Sequence, residues 1–166
     1  MATLINRAQI CAAYTSIADS SAGSRAGDWI SMANYNHATI IVSVNDDANN
    51  QIAFTINQAT TNTGASSKTV AFLTDFWRKT HASDITLATT FTHVTQAAAA
   101  TFNLTAASSN MVVVEIDAED LDSDGGFDFF SVDQADGTST NAVLADVIII
   151  LTEPRYAQDI TVSAIS

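Results

Sequence analysis

Residues 110–133, NMVVVEIDAEDLDSDGGFDFFSVD, decide how this chain folds. The first half is aliphatic and largely β-branched (Met111, Val112, Val113, Val114, Ile116), and the second sets Phe127 and Phe129 against Asp128, Phe130 and Val132. Such residues fit a pleated, half-buried surface, so the segment reads as two core strands, paired with one another, around an acidic loop. Asp120, Asp122 and Asp124 crowd that loop, and Gly125-Gly126 turns it.

The same patterning extends outward in both directions. Upstream, Trp29 and Met32 open a strand, residues 38–44 (ATIIVSV) form the next, and NDDANN connects it to residues 51–58. There Ile52, Phe54 and Ile56 alternate with Ala53, Thr55 and Asn57, one face for the core and one for water. Residues 69–73 add a short apolar run. Phe76-Trp77-Arg78-Lys79 reads as an amphipathic turn with its rings packed inward, and as an aromatic-basic cluster it also hints at a contact surface. Residues 85–87, 91–94 and 101–105 are three short pieces, with the alanines 97–100 read as a helical turn. Downstream, Asp136-Gly137 is a turn and residues 142–152 (AVLADVIIILT), the most hydrophobic stretch, form a central strand that Pro154 ends.

Short strands about every ten residues, polar loops and no βαβ rhythm predict an all-β fold: an antiparallel β-sandwich or jelly roll of about eight strands. At 166 residues the chain is one domain by length. Residues 1–27 carry no clear core pattern and are expected as an extended N-terminal arm, residues 28–157 as the sandwich, and residues 158–166 as a tail strand whose alternation (Ile160, Val162, Ala164) suits it to a sheet edge, its own or a neighbour's.

Composition excludes several functions. A net charge of −12 with only six Lys and Arg argues against a nucleic-acid partner, since phosphate binding depends on basic residues releasing counterions. The longest aliphatic run, 147–151, is too short to cross a bilayer, and the N-terminal sequence lacks the apolar stretch of a signal peptide. A chain of this kind is expected to stay where it is made. Cys11 is the one cysteine and offers neither a disulfide nor a zinc site.

The acidic loop is the one local motif with a chemical reading. Asp120, Asp122, Asp124 and Gly125 match the first half of an EF-hand loop, but Ser131 stands where the bidentate Glu belongs and strands replace the helices. A looser calcium site at Asp120, Asp122 and Asp124 therefore stands beside a plain solvated turn. Carboxylates that converge need a cation, because at about 4 Å each pair repels by about 4 kcal/mol near a protein surface. An acid-base pair for glycoside hydrolysis would need one carboxyl in an apolar pocket, which a run of exposed acids lacks. His37, His81 and His93 form no sequence-local metal motif, and six scattered glycines form no phosphate loop. No enzyme is expected, and no resident cofactor other than the calcium that the loop leaves open.

Three segments together resemble a known family: GDWISMANYNHATIIVSV (27–44), VVVEIDAEDLDSDGGFDFFSV (112–132) and IIILTEPRYA (148–157). They are similar to small virion proteins of tailed bacteriophages, the head decoration or cement proteins. The Gly-Asp-Trp-Ile-Ser opening, the Ala-Glu-Asp-Leu-Asp corner before Gly-Gly-Phe and the Arg-Tyr exit carry the likeness together. Residues 60–107 match only in general character. The resemblance implies a jelly-roll body on the outer surface of the capsid, made in the host bacterial cytoplasm, gripping the major capsid protein and assembling with itself, as a trimer ahead of a dimer. The other readings are a calcium-dependent glycan-binding module and a tail or receptor-binding module.

Overall fold

The computed structural model describes residues 8–14, 23–45, 52–82, 85–88, 90–104, 108–135 and 144–155. They form two antiparallel sheets packed face to face as a β-sandwich. The strands are β1 (Gln9–Tyr14), β2 (Ile30–Ser31), β3 (Tyr35–Asn45), β4 (Ala53–Ala59), β5 (Lys68–Thr69), β6 (Leu73–His81), β7 (Thr92–Ala99), β8 (Thr101–Asn103), β9 (Ser109–Asp117), β10 (Phe129–Gln134) and β11 (Leu144–Pro154). Eight of these have six or more residues; β2, β5 and β8 are fragments of two or three, too short to leave an alternation in the sequence.

The larger sheet runs β1-β11-β3-β9-β6-β7 and the smaller β2-β10-β4-β5, with β8 also on β4. Alternate residues of each meet between the layers. Ile40 and Val42 of β3, Val112, Val114 and Ile116 of β9, and Val147, Ile149 and Leu151 of β11 face Phe54 and Ile56 of β4 and Phe130 and Val132 of β10, all buried. An aromatic cluster joins the layers: Phe102 of β8 stacks on Phe54 with centroids 5.6 Å apart and meets Phe76 of β6 at 5.7 Å. The apolar stretch ending at Leu151 is an interior strand, as its composition predicts.

Four readings of the sequence need revision. Strands β9 and β10 do not pair: β9 lies between β3 and β6 in the larger sheet and β10 between β2 and β4 in the smaller. Residues 118–128 are too long for a tight hairpin, and the buried Ala118 and Leu121 draw the segment across the roughly 10 Å between layers. Phe76 and Trp77 belong to a strand, so pleating sends them to opposite faces, Phe76 buried at 4% and Trp77 47% exposed. The alanines 97–99 lie in strand β7, held by its pairing to β6. Part of the expected arm, β1, is an edge strand paired with β11. The Asp136-Gly137 turn, residues 46–50 of the NDDANN connection, and the tail strand all lie outside the described residues, Asn45 being the last residue of β3.

Candidate functional site

The acidic corner is built from the backbone outward. Asp117 ends β9; Asp120 Oδ2 accepts the Asp117 N–H at 2.8 Å, closing a capping box over the 3-10 turn Ala118–Asp120. Asp122 Oδ1 accepts the Gly125 N–H at 3.1 Å, and its other oxygen is paired with Lys68. The Lys68 ammonium also lies 4.0 Å from the centre of the Phe127 ring, and the buried Gln58 side chain accepts the Asp122 N–H at 2.8 Å. The Lys68 hydrogen bond, followed by that from Gly125, holds the Asp122 carboxyl below its ordinary pKa. Gly126 takes the left-handed conformation, φ 80°, that lets the chain leave toward β10.

The three proposed ligands are therefore not brought together. Asp120 serves the backbone of one turn, Asp122 serves the next turn and Lys68, and Asp124 sits in that second turn without a buried face. Among the described residues no group of three His, Cys, Asp or Glu side chains is disposed to hold a metal ion. Asp120 and Asp122 are each engaged with a backbone N–H of a separate turn, and Lys68 supplies the local positive charge.

A second charged group, not read from the sequence, lies one step away. His37 of β3 is clamped between two carboxylates of β9, Nδ1 to Asp117 Oδ1 and Nε2 to Glu115 Oε2, each at 2.7 Å. Thr39 Oγ1 donates to the same Glu115 oxygen at 2.7 Å. Burial of the ring opposes its charging, but the hydrogen bonds to Asp117 and Glu115 outweigh it and the His37 pKa is raised. Only the β3–β9 register places residue 37 opposite residue 117, and nothing local in the sequence carries that register. An open depression of about 420 Å³ adjoins it, lined by Asn36, Asp117, Glu119, Glu153 and Arg155 among others.

The third feature is a surface. The outer side of the smaller sheet is polar: Asp133 accepts from Asn57 Nδ2 at 2.7 Å and from the Gly27 N–H at 3.0 Å, and Thr55 bonds Thr101 at 3.0 Å. The outer side of the larger sheet differs. Ala12, Ile148, Ile41, Val113 and Trp77 are successive cross-strand partners, a row that crosses from β1 to β6 and ends with His93 of β7 under the Trp77 ring, centroids 4.8 Å apart. Ile10 and Ile150 widen the row on one side and Met111 on the other. The exposed large hydrophobics among the described residues are Ile10, Trp77, Leu87, Phe91, Leu144 and Ile148, and all belong to this sheet or to its β6–β7 connection. Lys79 reaches over Phe91 at 5.3 Å, so the aromatic-basic cluster of the sequence is part of this face, with Trp77 outward instead of inward.

No protein-family model matches the chain, and no curated protein matches it. Among solved structures it is similar to the crystal structure of SPBc2 prophage-derived protein YomS, with a TM-score of 0.44 and 9% identity, covering 87% of this chain and 95% of that one.

Proposed function

We propose that the chain is a non-enzymatic virion structural protein that decorates the outer surface of a phage capsid and bridges subunits of the major capsid protein. The observation that carries this reading is the one-sided sandwich: a polar outer face on the smaller sheet and, on the larger, a continuous apolar row holding the exposed Ile148 and Trp77, with the other exposed large hydrophobics of the described residues elsewhere on that sheet or in its β6–β7 connection. Gathering apolar side chains on one face lowers solubility, and it is favoured where that face is covered by another protein. The charged groups of the acidic corner and of the His37 clamp are committed to holding backbone and strands in place. The three segments resembling decoration proteins supply the partner, and a strongly acidic surface suits a protein that must not adhere to DNA during assembly.

Cosedimentation tests the reading. Purified protein incubated with expanded shells of its own phage, lacking this protein, should pellet with them and saturate at a fixed ratio to the capsid protein. Failure to bind those shells at saturating concentration would remove the proposal.

A further inference from the structure

We infer that the outer face of the larger sheet is a self-association surface, on which two copies of this chain stack about a twofold axis running along the strands between β3 and β9. The inference names one partner of the assembly surface proposed above and rests on that reading.

Self-complementarity is the reason. The sheet has three strands on each side of the β3–β9 seam, so the axis places β3 on the second copy's β9, β11 on its β6 and β1 on its β7. Along the central row, Ile41 then meets Val113 and Ile148 meets Trp77, each contact made twice. The neighbouring row reads Asp146, Ser43, Met111, Lys79 across β11, β3, β9 and β6. It carries a negative charge on one side of the seam and a positive charge at the matching distance on the other, so Asp146 of each copy faces Lys79 of its mate. The third row, Ile10, Ile150, Thr39, Glu115, is mixed and falls at the rim.

The size fits a moderate dimer. Six strands about 4.8 Å apart and about five residues of strand length give a flat area on the order of 500 Å², which side-chain relief enlarges toward the roughly 800 Å² per partner of a standard interface. Packed sheets cross at about 30°, which offsets β11 and β6 by about one residue, within reach of a lysine side chain. A threefold arrangement would not oppose the two halves of one face.

Sedimentation of the full chain alone, up to roughly 100 µM, reads the outcome, with a dimer forming within that range. Ile148→Asp should raise the Kd about thirtyfold or more. Lys79→Asp and Asp146→Lys should each weaken self-association about tenfold, and an equimolar mixture of the two variants should associate as tightly as the unaltered chain, because every contact in the mixed pair is again between opposite charges. The mixture also serves as the folding control, since neither variant could restore the other if either had unfolded. A monomer at every concentration, a trimer, or a mixture no tighter than its components would overturn the inference. A chain that is monomeric yet saturates capsid shells removes only the twofold contact, whereas a dimer that ignores shells removes only the virion reading.

Discussion

Removing the Phe102 ring tests how the two layers are held together. Phe102 belongs to a strand of three residues, yet its side chain is fully buried and touches Phe54 of its own sheet and Phe76 of the other. Phe102→Ala should cost about 4 kcal/mol, the usual range for emptying a fully packed aromatic site being about 3–5 kcal/mol. Phe102→Leu keeps most of the volume and loses the ring contacts, and should cost about 1–1.5 kcal/mol. For a domain of this size each kcal/mol moves Tm by roughly 2–4 °C, so the alanine variant should melt about 8–16 °C lower. Urea titrations followed by tryptophan fluorescence give both values, and an unchanged m-value confirms that stability alone has moved. An alanine variant that loses less than about 1 kcal/mol, or a leucine variant as damaged as the alanine one, would refute the bridging role.

Three further outcomes follow from named groups. Because the folded-state pKa of His37 is raised above 6.5, its clamp stabilises the fold fully below that pH and the contribution is lost as pH rises through the folded pKa. Tm should therefore fall across neutral pH in the native chain and be flatter there in His37→Asn, and an NMR titration of His37 with a midpoint below 6.5 would contradict the clamp. Cys11 is buried, with its thiol pKa pushed up by desolvation, so an aromatic disulfide reagent should label it only as fast as the chain unfolds; immediate labelling would place β1 off the sheet. Gly27→Ala would bring a Cβ to 2.5 Å from the Val132 carbonyl oxygen, and a loss of about 2 kcal/mol or more is expected in the same urea assay, against no change if residues 25–28 do not run beside β10.

How much of this was legible in the sequence depends on where the information sits. Strand β4 announces itself by a two-residue alternation, Ile52, Phe54 and Ile56 against Ala53, Thr55 and Asn57, whereas β3, β9 and β11 show as β-branched apolar runs because their outward positions Ile41, Val113, Ile148 and Ile150 are apolar as well. Strand β6 hides because its outward positions are Trp77 and Lys79, so two rings followed by two cations mask the pleat. Strand β7 hides behind alanines whose intrinsic preference is overridden by pairing with β6. The destination of β10 was unreadable, since an acidic loop looks the same whether it turns a hairpin or crosses between layers. The candidate sites follow the same division. Asp120, Asp122 and Asp124 are close in sequence, which is what suggested calcium, but local capping commits Asp120 and Asp122 to two separate turns. The His37 clamp and the apolar row exist only once β1, β11, β3, β9 and β6 are in register, and that register is a property of the whole sheet.

The most direct measurement is a side-chain-resolution reconstruction of expanded capsid shells saturated with this protein. Pairs of sandwiches on the outer surface, stacked through their six-stranded sheets with Ile148 against Trp77 and each pair touching more than one capsid subunit, are the expected density. Shells that carry no added density, or sandwiches bound with the Ile148–Trp77 face turned to solvent, would contradict the account.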